Sequence, residues 1–107
     1  VMKATFFFTF NQNNSGGHFH ESKHDGICEH VIIEAHDAKE ANARAEEIGL
    51  YFDGCETGSD CECCGDRWFR ADDYDGNAEP LIYGNPAGEC KDSYAIHYFH
   101  NFDTFNI

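Results

Sequence analysis

The stretch CEHVIIEAHDAKEANARAEEIG, residues 28–49, reads as a strand, a capped turn and a helix. Cys28 to Ala35 is predicted as a strand, with Val31, Ile32 and Ile33 at its centre. Asp37 opens the helix. Its side chain can accept from the first free N–H groups, and Glu40, three residues on, completes a capping-box pattern. Ala38, Ala41, Ala45 and Ile48 recur at helical spacing and form one stripe. These side chains are small, so the helix is expected to lie close against a sheet. Gly49 suits the left-handed residue that ends a helix.

Working outward, Lys3 to Phe10 reads as a strand. Phe6, Phe8 and Phe10 point one way and Thr5, Phe7 and Thr9 the other. Phe7 predicts that the second face is also partly covered. Residues 11–17, NQNNSGG, form a polar, turn-rich loop. His18-Phe19-His20 alternates and is read as a short strand, as are Arg67 to Arg70 and Leu81-Ile82-Tyr83. Tyr94 to His100 is the closing strand. Strand, strand, helix and several short strands predict one α+β domain over residues 1–107. One main helix would pack on a mostly antiparallel sheet, with a cysteine-rich loop resembling a zinc knuckle.

Composition narrows the function classes. Twenty acidic residues stand against seven basic ones, a net charge of −13 over 107 residues. Phosphate backbones are repelled by such a chain, so direct nucleic-acid binding is not expected. A basic protein surface, a cation or a metal is the more natural partner. No long apolar run predicts a membrane span. No basic and apolar leader is evident, so a cytosolic setting is expected. Signatures of serine hydrolases, P-loops and dinucleotide sites are missing, so a non-enzymatic role is favoured.

Cys55, Cys61, Cys63 and Cys64 fall within ten residues, and Cys61-Glu62-Cys63-Cys64-Gly65 has the C-x-x-C-G shape of a knuckle. Two thiolates three residues apart can grip one metal from a tight turn. The glycine lets backbone N–H groups approach the sulfurs. A closed tetrahedral site needs four ligands, and Cys55, Cys61, Cys64 and Cys90 are the expected set for a structural zinc. Cys63 or a histidine stands behind Cys90 in that order. Free thiols and disulfides are the alternatives, the latter disfavoured in a reducing compartment.

Three further groups carry chemistry. His18 and His20, with Glu21 or Asp25, suggest a metalloenzyme; His24, His30, His36, His97 and His100 complete the histidines. No H-E-x-x-H is present, so surface or half-buried histidines are the plainer reading. The acidic run at residues 71–77 lacks an aspartate at its first position and a glutamate at its last, so it is a turn and not an EF-hand. Arg67, Trp68 and Arg70 stand out in an acidic chain and suit anion or base recognition by pairing and stacking. The alternative buries Trp68 and pairs both arginines with nearby acids.

The blocks Tyr51-Phe52-Asp53-Gly54-Cys55 and Asp60-Cys61-Glu62-Cys63-Cys64-Gly65-Asp66-Arg67-Trp68 resemble a group of small, functionally uncharacterised proteins of tailed bacteriophages. The resemblance covers under a fifth of the chain. It implies a setting in the cytoplasm of an infected bacterium and an accessory or host-takeover role. No catalytic residue comes with it. Glu62 departs from the proline usual between knuckle cysteines and adds an acid beside the metal. The leading expectation is a zinc-stabilised acidic protein that binds and inhibits a host protein with a basic surface, such as a defence or DNA-binding protein, its acids mimicking phosphates. The second is a module that sequesters a nucleotide signal of host defence, using Arg67, Trp68 and Arg70 between subunits of a homo-oligomer. The histidine metalloenzyme is the third.

Overall fold

Three consecutive apolar residues, Val31, Ile32 and Ile33, are fully buried because their strand has neighbours on both edges and cover on both faces. The computed structural model describes residues 4–100. In it β1 (Phe6–Asn11), β2 (His30–Ala35) and β5 (Tyr94–His97) form a sheet in the order β1-β2-β5. β1 pairs antiparallel with β2, placing Phe8 opposite Ile33 and Phe10 opposite Val31. β2 pairs parallel with β5, placing His30 opposite Tyr94 and Val31 opposite Ala95. The sheet is therefore mixed, its longer pairing antiparallel and its shorter one parallel. The long connection from β2 to β5 carries the chain back to the same end before it enters the sheet.

α1 (Ala38–Ile48) covers one face of that sheet. Asp37 caps it as the sequence predicts: its Oδ1 accepts from the Glu40 N–H at 2.8 Å. The Glu40 carboxylate reaches back one residue further than a standard box, accepting from the His36 N–H at 2.8 Å. Ala38, Ala41 and Ala45 are buried against Phe8, Phe10, Val31 and Ile33, with Ile48 packed at the margin. A helix of alanines can approach a sheet closely, and the two phenylalanines fill the remaining space. Each contributes about 1.5–3 kcal/mol by burial. Gly49 ends the helix at φ 120°, its N–H bonding back to Ala45 and Glu46.

The other face packs under a small hairpin. β3 (Leu81–Ile82) and β4 (Asn85–Pro86) pair antiparallel. Ile32, Ile82, Ala87 and Ile96 form this second core, with Phe7 packed against it. The covered second face inferred from Phe7 is thus present. The whole is one α+β domain: one main helix on a mixed sheet, with a cysteine cluster in a loop. Two expected strands do not form. His18-Phe19-His20 and Arg67 to Arg70 both run outside any strand. Residues 101–107, beyond the closing strand, lie outside the described residues.

Candidate metal centre

Leu50 to Arg70 leaves the helix, turns through the short α2 (Gly54–Thr57), makes the cysteine turn and returns to the core. The knuckle geometry is present. Cys64 and Gly65 both donate their N–H to the Cys61 carbonyl at 3.1 Å. Gly65 sits at φ 87°, a left-handed position that favours glycine. Asn13 clamps the far side of the turn, its Nδ2 donating to Cys64 O at 2.8 Å and Asp66 O at 3.1 Å. Ser15 Oγ accepts from the Cys61 N–H at 3.2 Å.

The thiols of Cys61, Cys63 and Cys64 converge at this exposed tip, all within 4.8 Å of one another. The Cys63 and Cys64 sulfurs are 3.9 Å apart. That matches the edge of about 3.8 Å set by zinc–sulfur bonds of about 2.3 Å in a tetrahedron. Cys61 and Cys63 are closer, at 2.9 Å, and would spread by about 1 Å around such an ion. Cys55 is adjacent, its thiol donating to Cys61 O at 3.4 Å, and stands outside the converged group. The three converged thiols are a soft donor set that fits zinc or another thiophilic metal.

Of the expected set Cys55, Cys61, Cys64 and Cys90, the structure brings Cys61 and Cys64 together, sets Cys55 beside them and removes Cys90. The Cys90 thiol lies instead with His30 and Asp92. Cys63 takes its place in the cluster. The C-x-x-C spacing draws attention to the ends of the turn, and the density of thiols within it was the better signal.

Proton sharing distinguishes the thiols. Hydrogen bonds from Cys63 and then Cys64 lower the Cys61 thiol from its ordinary value. Bonds to Cys61 and Cys64 push Cys63 up to about 11. Desolvation, a hydrogen bond with Asp66 and the nearby charges of Asp66, Asp60 and Glu62 push Cys55 up to about 11. Cys61 is the natural first thiolate.

Arg67 and Trp68 are not at the surface. Trp68 is 1% exposed in the main core and Arg67 only 6% exposed. The Arg67 guanidinium binds the chain itself. Nη1 donates to Gln12 Oε1 at 2.9 Å and His18 O at 2.8 Å, Nη2 to Ser15 O at 2.6 Å, and Nε to the Tyr51 hydroxyl at 3.1 Å. Tyr51 in turn donates to Asp60 Oδ1 at 2.7 Å, and Asp60 Oδ2 accepts the Arg67 N–H at 2.8 Å. The expected ligand contact at Arg67 and Trp68 is therefore corrected: both are committed to the interior. Arg70 is 56% exposed, paired with Asp53 at 2.8 Å and lying 5.1 Å from the centre of the Phe52 ring. Nothing in the sequence pointed to Gln12, Ser15 and His18 as its neighbours' partners, because the 11–20 loop meets residue 67 only in three dimensions.

The histidines disperse. His18 and His20 are exposed and join no donor cluster among the described residues. His36 pairs with Glu40, and buried His97 bonds Gly26 O through Nε2 at 2.9 Å. Among the described residues, His30 is the one histidine that joins a donor group. Its Nδ1 meets Asn11 Oδ1 at 2.7 Å, and its Nε2 faces Asp92 Oδ2 at 3.2 Å and Glu29 Oε2 at 3.5 Å. Burial, then the Asp92 carboxylate, pushes the Glu29 carboxyl above its ordinary value. Tyr83 stands edge-on to the imidazole, ring centres 5.6 Å apart. With Gly84 it makes the two-residue turn of the β3–β4 hairpin, both at positive φ, 52° and 82°. A side chain there costs about 1–2 kcal/mol.

Among the described residues no helix is long and apolar enough to cross a membrane. A family model described as "Domain of unknown function (DUF7296)" matches residues 5–105. No curated protein and no solved structure matches the chain.

Proposed function

We propose that this chain, which belongs to the DUF7296 family, is a zinc-stapled acidic binding protein that docks on a basic surface of another protein. The observation that carries the reading is the tip itself: three thiols converge on a turn whose base is wired into the fold by Asn13, Ser15 and Arg67. Zinc closes the turn through Cys61, Cys63 and Cys64, with Cys55 or a water as the fourth ligand. A site of this kind rigidifies an irregular segment and leaves recognition to the surface around it.

The charge of −13 supports the second half of the proposal. Carboxylates at that density steer a basic partner and present themselves where phosphates would lie. The resemblance to tailed-phage proteins supplies the setting: the host cytoplasm, with a DNA-binding or defence protein as the inhibited partner. The nucleotide-pocket alternative loses two of its three residues to the interior.

Native mass spectrometry tests the metal, with one zinc expected at the cysteine tip and lost in the Cys61→Ser/Cys64→Ser variant. Affinity capture from a bacterial lysate at low and high salt tests the partner. Capture should weaken steeply with salt; salt-insensitive capture, or none, would remove the charge-based reading.

A further inference from the structure

We propose that His30, Cys90 and Asp92 form a second metal site, separate from the cysteine tip, for a divalent transition metal such as zinc or cobalt. The donor atoms of these three residues lie within 4.8 Å of one another. They offer one nitrogen, one sulfur and one oxygen, a mixed set that suits metals of borderline softness.

The orientation of His30 suits a metal ligand. Its Nδ1 meets a carbonyl oxygen, Asn11 Oδ1, at 2.7 Å, so Nδ1 carries the proton. Nε2 faces the Asp92 and Glu29 carboxylates at 3.2 and 3.5 Å. The 3.2 Å separation from Asp92 Oδ2 is close to the edge of about 3.3 Å that metal–ligand bonds of about 2.0 Å set in a tetrahedron. A ligating histidine almost always donates its other ring N–H to an oxygen acceptor, as His30 does to Asn11. The imidazole is only 1% exposed and cannot swing away.

The backbone prepares the same arrangement. His30 opens β2, and its N–H donates to Ser93 O at 3.1 Å, just before β5. Cys90 is extended, at φ −77° and ψ 137°. Cys90 and Asp92, two residues apart, both bring a donor atom to His30. Three protein donors leave a fourth position open. A cleft of about 300 Å³, lined by Ile82, Tyr83, Asn85, Glu89 and Cys90, adjoins the Cys90 donor. The strained Tyr83 turn forms part of its wall. A small oxygen or nitrogen ligand, water included, is the chemistry that position would take.

The test uses cobalt(II) on the full chain carrying Cys61→Ser, Cys63→Ser and Cys64→Ser, which removes the tip thiols. One equivalent should bind and show thiolate-to-cobalt charge-transfer absorption. Adding Cys90→Ser should abolish that absorption, and adding Asp92→Asn should weaken binding by about tenfold or more. Both positions lie at the rim, and circular dichroism reports whether each variant folds. Independently, the His30 Nε2 resonance of the otherwise native chain should move on adding zinc. Absence of cobalt binding, a charge-transfer band that survives Cys90→Ser, or a His30 ring that remains an imidazolium at saturating zinc would overturn the site in favour of a plain ion pair with Asp92.

Discussion

Residues 61–64 and residues 67–68 are separated by two positions and behave as opposites. The first group is an exposed turn whose thiols touch chiefly one another. The second is a buried pair: Trp68 in the main core and an arginine tied to residues 12, 15, 18 and 51. The tip is a local structure that a metal can complete. The hub is non-local, and it joins residues 12–18 to residues 51–67. A chemical cluster at the surface is thus held in place by an ordinary-looking arginine beneath it.

Breaking the hub should cost most. Arg67→Met leaves Gln12 Oε1 and the His18 and Ser15 carbonyls without their guanidinium donor and takes away the positive charge 3.8 Å from the Asp60 carboxylate, and removing one partner of a buried charged pair costs about 3–5 kcal/mol. Urea denaturation measures it. Arg67→Lys should recover little of the loss, because an ammonium cannot reproduce the fork of donors. Gly54→Ala strikes the same hub sterically: a Cβ there would lie 1.8 Å from Asp60 Oδ2 and 2.9 Å from the Tyr51 ring. Displacing that carboxylate should cost about 1–3 kcal/mol. An unchanged denaturation midpoint for either variant would put the hub and the tip on equal terms.

The tip should respond oppositely. In metal-free protein, Cys64→Ser removes an exposed thiol and should change stability by no more than about 0.5 kcal/mol. With zinc present, the same change should cancel the metal's stabilisation and lower affinity sharply. The pH dependence sharpens the contrast further. Cys63 and Cys55 lie at about 11, so at neutral pH each binds a proton that a metal must displace. Zinc affinity should therefore rise with pH below that value, by about tenfold per unit for each thiol that ionises on binding. Titration against a chromophoric chelator between pH 6 and 8, about one unit either side of neutrality, checks it. A flat profile would show that these thiols are not ligands.

Much of the frame was legible. The capped helix, its alanine stripe and the flanking strands follow from periodicity and capping, which act over a few residues and need no partner. The knuckle turn was legible for the same reason, since its closing bonds run within residues 61–65. Arg67 and Cys90 were not. One side chain's fate rests on backbone carbonyls about fifty positions away, and the other's on a histidine across the β2–β5 pairing.

The sequence by itself determined the local units: where the helix starts and stops, which strands are apolar, where thiols are dense, and how acidic the surface is. Only the tertiary structure decided that Arg67 is a buried strut, that Cys63 replaces Cys90 at the tip, and that His30 faces Cys90 and Asp92. The physical reason is that capping and periodicity are nearest-neighbour effects. Burial and donor geometry depend instead on which distant segments the parallel return of β5 and the packing of the 11–20 loop bring together.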